Sequence, residues 1–315
     1  MGINILVFAV GTVFLYYGAD FLITGSKTVA LKFKIPPIVV GITLVAFGTS
    51  LPELIVSIIA IFQKDGSGIV VGNVVGSNIA NIGLVLGITA ILTPVFFSYK
   101  RISFDLYFLM LITLLPLLFI YLGDLVFWQG LIFISLLVGY CWQLYKKDHR
   151  YDEQQENQNV KGVFFISKKI ILGMVGLGFG AYFFVLGATG IALELGVSSL
   201  IIGMSIVALG TSLPEFAASI VAAKHNETGF VIGNIIGSNI MNIVAVLGFT
   251  LLIRPISVEF SDVATHGIFM VILTVGLFIL LKYKGGITKF PAGIFILIYL
   301  LFLYFNFQHG LGIKL

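Results

Sequence analysis

Long apolar blocks alternate with short polar breaks along the whole chain. Ten such blocks lie near residues 3–23, 37–62, 70–95, 104–121, 127–145, 169–191, 199–223, 230–253, 265–281 and 290–307. A helix needs about 20 apolar residues to cross a hydrocarbon core, so the pattern predicts ten transmembrane helices in one all-α, polytopic membrane domain. The first block lacks a basic leader and a small-residue cleavage pattern, so it reads as a retained span. The most polar stretch, KKDHRYDEQQENQNVK at 146–161, divides the chain near its middle. The expected organisation is a five-helix half over 1–145, a cytoplasmic hinge loop over 146–168 and a second five-helix half over 169–315.

Charge tests this count, because cytoplasmic loops of membrane proteins are enriched in Lys and Arg. If the amino terminus is outside, every one of the 18 Lys and Arg residues except Lys64, Arg254 and Lys314 falls on the cytoplasmic side. A missed or extra span would scramble that bias, so both termini are expected outside a cell membrane crossed many times.

Composition agrees with lipid as the main solvent: 59% of residues are hydrophobic, 10% are charged, and the mean hydropathy is +1.11. The net charge of +4 is spread over short loops and gives no nucleic-acid face. Cys141 stands alone, so no disulfide or cysteine metal site is expected, and the four histidines are scattered. No Walker-type nucleotide motif is present, which argues against an ATP-driven pump. Asp20, Asp105, Glu194, Asp262 and His266 lie near predicted span ends and are expected at the membrane interface.

Two motifs occur twice. GTSLPE stands at Gly48–Glu53 and Gly210–Glu215; GNVVGSNIANI at Gly72–Ile82 returns as GNIIGSNIMNI at Gly233–Ile243, identical at eight of eleven positions. Five predicted spans separate equivalent positions. An odd number turns the second copy over in the membrane, the inverted repeat of many secondary transporters.

The chemistry of the motifs is that of a cation site. Pro52 and Pro214 fall inside apolar spans, where each must break the helix, and unwound backbone at that depth requires a cavity lined by protein or water. Thr49, Ser50, Thr211 and Ser212 add hydroxyl oxygens beside the breaks. Glu53 and Glu215 are acids within spans, at a cost of about 2.5–3.5 kcal/mol each even on lenient scales. One such acid could be held protonated or hydrogen-bonded to a neighbouring helix; a matched pair beside matched breaks points to ion binding. Ser77 with Asn81, and Ser238 with Asn242, stand four residues apart and share a helix face. Gly72, Gly76, Gly233 and Gly237 allow helices to approach closely. Asn73, Asn78, Asn234 and Asn239 suit either interhelical hydrogen bonding or support of the ligands. Hard oxygens in this number suit Ca²⁺, which takes 6–8 of them, and Na⁺ in smaller subsets.

At these motifs the sequence resembles the cation/calcium antiporter superfamily, and within it the compact prokaryotic sodium/calcium exchangers. The resemblance implies ten helices in two inverted five-helix repeats, with broken helices at a central site and alternating access. It places ion ligands on Thr49, Ser50, Glu53, Ser77 and Asn81, on Thr211, Ser212, Glu215, Ser238 and Asn242, and on the backbone carbonyls of Ala46 and Ala208. Many relatives carry an aspartate where this chain has Asn81 or Asn242. The expected function is exchange of Ca²⁺ for Na⁺, with calcium export as the usual direction. The ions bind as substrates, the lipid bilayer is the only other partner, and no cofactor, nucleic acid or obligate protein partner is expected. A proton/calcium antiporter using the same glutamates is the alternative. An ion channel would conduct without counter-transport. An intramembrane hydrolase would need a general base beside Ser50 or Ser212.

Overall fold

The computed structural model of the chain describes residues 1–63, 66–146, 163–196 and 208–310. Eight long apolar helices able to span a membrane are described, with a ninth span formed by a bent pair. They are α1 (Gly2–Lys32), the pair α2 (Pro37–Thr49) and α3 (Leu51–Ala60), α4 (Gly66–Leu92), α5 (Tyr99–Leu122), α6 (Phe127–Lys146) and α7 (Val163–Glu194). After the short α8 (Ala208–Gly210) and α9 (Leu213–Lys224) come α10 (Thr228–Ile253), α11 (Phe260–Lys284) and α12 (Lys289–Gly310). The block expected at 199–223 is described only from residue 208 onward, and most of the 146–168 hinge lies outside the described residues.

The helices form two compact units that cut across the sequence halves. The first comprises Met1–Pro52 and Tyr140–Ser238, the second Glu53–Gly139 and Asn239–Leu315. Both chain crossings at the motifs fall inside them, after Pro52 and after Ser238. Each unit therefore holds one of the two motif glutamates.

In the first unit α1 and α7 pack antiparallel along most of their length. Both are apolar all round, as lipid-facing helices are, so burial of a greasy face cannot fix how they meet. Small residues do so. Gly11, Gly18 and Gly25 recur every seven residues on α1, and Gly173, Gly180 and Gly187 do the same on α7. Seven residues are nearly two turns, so each set makes one stripe. A Cβ at Gly18 would stand 2.7 Å from the Leu177 nitrogen, and one at Gly180 2.6 Å from that of Leu15. At one end Asn4 Nδ2 donates to Glu194 Oε1 (2.8 Å). Further along, Asp20 meets His225 (3.0 Å) and Lys27 meets Glu227 (2.6 Å), tying α1 to the turn between α9 and α10.

Elsewhere in this unit α10 crosses α2 at Gly233 and Gly237. A Cβ on Gly233 would lie 2.7 Å from the Ile38 carbonyl oxygen, so the close approach expected of these glycines is present. Gly72 and Gly76 differ: among the described residues nothing comes within 4 Å of a Cβ placed on either.

The second unit packs α12 on the end of α4, where Gly83 faces Tyr299 and Gly87 faces Ile296. α6 lies against the end of α10, with Gly130 on Leu251 and Gly248 on Ile134. Two short backbone links close its loops: β1 (Val95–Phe96) pairs antiparallel with β2 (Gly286–Ile287), and Leu125 bridges Ile256. Asp105, expected near a span end, is fully buried within α5.

Candidate functional site

The GTSLPE copies break their helices as proline chemistry requires, two residues earlier than the ring itself. α2 ends at Thr49 and α3 starts at Leu51 after a bend of 41°, with Ser50 at φ −87°, ψ 4° between them. Ser212 holds nearly the same angles, φ −84°, ψ 3°, immediately before α9. Proline is tolerated in the first turn of a helix, where its missing N–H would have no partner anyway. Pro52 and Pro214 thus stand second in new helices, and Glu53 and Glu215 sit in the first turns.

Among the described residues, three segments open into π-helical turns that periodicity does not reveal: Gly41–Val45, Asn81–Leu86 and Asn242–Leu247. The latter two begin at the candidate ligands Asn81 and Asn242. Such widened turns are frequent at functional sites because they re-aim side chains and loosen carbonyls.

In the first unit, side chains from both sequence copies converge. Ser50 Oγ donates to Glu215 Oε1 at 3.0 Å. Thr49 Oγ1 lies 3.3 Å from Ser238 Oγ, 3.2 Å from Asn234 Oδ1 and 3.3 Å from the Ala46 carbonyl oxygen. That carbonyl also accepts the Ser50 N–H at 2.9 Å. Glu215, Thr49, Ser238 and Ala46 are fully buried, and Ser50 nearly so. Ser212 is buried three residues before Glu215, and its hydroxyl has no hydrogen-bond partner among the described residues; Thr211 is half-buried, and Ala208 opens α8.

The second unit holds Glu53, Ser77, Asn81 and Asn242, all buried. Neither amide atom of Asn81 or of Asn242 has a hydrogen-bond partner among the described residues. Buried polar groups are ordinarily satisfied, so these four amide atoms, at matched positions of the two motif copies, stand out as unsatisfied among the described residues.

The other repeated asparagines divide. Asn73 Nδ2 donates to the Glu53 carbonyl (3.1 Å) and to Ser57 Oγ (2.9 Å); Asn234 Nδ2 donates to the Glu215 carbonyl (3.1 Å) and to Ser219 Oγ (3.0 Å). Asn78 reaches Met270 Sδ at 3.8 Å, whereas the Asn239 amide has no partner among the described residues. Ser57 and Ser219 escaped the sequence reading. Their signal was there, a serine four residues after each motif glutamate.

Three of the residues expected at the membrane interface have partners of their own. Asp20 is part-exposed with His225, Glu194 is exposed with Asn4, and His266 bonds Asn306 at 3.3 Å. Among the described residues no three His, Cys, Asp or Glu side chains gather to hold a metal. A cation at the motifs would therefore be held by hydroxyl, amide and carbonyl oxygens with few carboxylates, a hard set suited to Ca²⁺ and Na⁺.

Comparison with known proteins gives the same direction. The family model described as sodium/calcium exchanger protein matches residues 3–146 and 169–308. An uncharacterized membrane protein of Methanocaldococcus jannaschii is 35% identical over 295 residues, 93% of this chain and 95% of its own length. The sodium/calcium exchanger MaX1 of Methanosarcina acetivorans is 30% identical over 344 aligned positions, covering 96% of this chain and 97% of its own. Among solved structures, the sodium-calcium exchanger NCX_Mj soaked with 2.5 mM Na⁺ and 0.1 mM Ca²⁺ superposes with a TM-score of 0.82 at 33% identity, over 95% of this chain and 97% of that one.

Proposed function

We propose, from the premise that this chain belongs to the sodium/calcium exchanger protein family, that it exchanges Ca²⁺ for Na⁺ across a cell membrane by alternating access and normally exports calcium. The family comprises multi-pass membrane transporters and not enzymes, and the ions are substrates. One observation carries the reading: Thr49 and Ser50 of the first motif copy meet Glu215 and Ser238 of the second around one buried carboxylate.

The proposed ligands are Glu53 and Glu215, Ser77 and Ser238, Asn81 and Asn242, Thr49 and Thr211, Ser50 and Ser212, and the carbonyls of Ala46 and Ala208. Two carboxylates balance one Ca²⁺, so the loaded site is close to neutral in surroundings where net charge is costly. Removing Ca²⁺ uncovers two buried negative charges, and other cations must replace it before the protein can turn over. That obligation is the physical root of exchange. With asparagine at both 81 and 242, no third carboxylate enters this balance.

The proposed architecture is two inverted five-helix repeats, ten spans in all, with both termini outside. The paired motifs and the bias of Lys and Arg support it.

The test is Ca²⁺ uptake into Na⁺-loaded liposomes carrying the purified chain. Uptake should stop when a sodium ionophore collapses the Na⁺ gradient. Uptake that continues without Na⁺ under an imposed pH gradient would establish the proton/calcium alternative instead. Flux needing no ion on the opposite side would identify a channel.

A further inference from the structure

The structure assigns to Asn73 and Asn234 a positioning role: each straps the turn that carries a motif glutamate to the helix that carries the serine and asparagine ligands of the same repeat. This rests on the exchange reading for the meaning of those ligands, and on four hydrogen bonds for its geometry.

Residues 73, 77 and 81 stand at i, i+4 and i+8, so Asn73 lies on the same face of its helix as Ser77 and Asn81, one turn earlier. Asn234 stands in the same relation to Ser238 and Asn242. From that place each side chain reaches across to the glutamate-bearing helix. It spends both amide hydrogens there, one on the main-chain carbonyl of the glutamate and one on the serine hydroxyl a turn further on. The four bonds lie between 2.9 and 3.1 Å and form independently in the two units. General glue between helices would bond wherever a partner was available. Here the bonded atom is the backbone of the charged residue itself.

The need for such a strap follows from the break. A glutamate in the first turn of a helix, directly after a proline, lies where the intrahelical N–H bonds have not yet begun, the part of a helix least held by its own ladder. An ion site tolerates little looseness, because ligands displaced by about 1 Å lose much of their effect. Fixing both the carbonyl of the glutamate and the next turn prevents that first turn from rotating or fraying. Asn234 does more than its counterpart, because its Oδ1 also accepts from the hydroxyl of Thr49, itself a proposed ligand, at 3.2 Å.

The experiment compares wild type with Asn73→Leu, Asn234→Leu, Ser57→Ala and the Asn73→Leu/Ser57→Ala double variant. Leucine keeps the branched shape, with somewhat larger tips, and removes every side-chain hydrogen bond. Equilibrium Ca²⁺ binding in detergent, the KM and maximal rate of Na⁺-driven Ca²⁺ flux, and the thermal midpoint are read for each. Expected is a rise of about tenfold or more in Kd and KM for Asn73→Leu, more for Asn234→Leu, and about threefold for Ser57→Ala. The double variant should match Asn73→Leu within about twofold, because both changes open one strap and such neighbours are not additive. A thermal midpoint that falls while Kd and KM stay at wild-type values would reduce the asparagines to packing and overturn the proposal. So would full additivity in the double variant. If a leucine variant does not fold, Ser57→Ala decides, since deleting one oxygen must raise Kd if the strap matters. Wild-type protein that binds Ca²⁺ without exchanging it would refute the exchange reading while the straps are still judged by Kd. Wild-type protein that binds no Ca²⁺ would refute both.

Discussion

Glu53→Gln and Glu215→Gln are each expected to lower Na⁺-driven Ca²⁺ flux by at least about 100-fold, close to 3 kcal/mol at 1.36 kcal/mol per decade. Glutamine keeps the size and one oxygen of the side chain, so packing survives and only charge and the second acceptor are lost. Both positions are fully buried. With one acid gone, a Ca²⁺ would leave a net positive charge in a low-dielectric site, which is far costlier there than in water. Asp20→Asn is the internal comparison. That acid is part-exposed and faces His225, outside the oxygen cluster, so its initial rate should stay within about threefold of wild type, as for an exposed pair worth less than about 1 kcal/mol. Similar losses in all three variants would show that the glutamates are ordinary membrane acids.

The second large effect concerns the scaffold. Gly180→Val should unfold the chain or lower its thermal midpoint in detergent sharply, whereas Gly178→Val, two residues away on the same helix, should change it by no more than a few degrees. At Gly180 a new Cβ would stand 2.6 Å from the Leu15 backbone nitrogen, and backbone cannot rotate out of the way as a side-chain tip can. The antiparallel helices would have to separate along their stripe, for which about 1–3 kcal/mol is the ordinary overpacking cost and more is expected against main chain. At Gly178 a Cβ meets nothing within 4 Å and the residue is exposed. Replacing glycine there removes a poor helix former, so neutrality or a slight gain is expected. Equal shifts at both positions would mean that α1 and α7 are not held by their glycines.

What could be read in advance depended on the physics that left the mark. Nine of the ten expected spans appear as helices or as the bent pair, because about 20 apolar residues in lipid leave the chain few other ways to satisfy its backbone. The break in GTSLPE was legible because proline lacks an N–H, and the bend at Ser50 follows directly. The π turns at Asn81 and Asn242 were not legible, since one extra residue per turn changes hydrogen-bond register without changing which residues are apolar. The burial of Asp105 was not legible for a related reason: distance from the end of an apolar block gives depth along a helix, not which side the residue faces. The glycine stripes of α1 and α7 were open to view as a period of seven. Their meaning needed the partner, because the same glycine that meets backbone at position 180 meets nothing at 178. Asn73 and Asn234 carried a signal in being repeated, but whether they bonded a ligand, a backbone or a neighbouring helix required coordinates.

One Ca²⁺-binding stoichiometry tests the central claim most directly. Equilibrium dialysis of the purified chain, of Glu53→Gln and of Glu215→Gln should give one tightly bound Ca²⁺ for the parent and none for either variant, as the proposed sharing of one ion by both acids requires. Two bound ions in the parent, with one surviving in each variant, would mean two separate sites and would contradict the account.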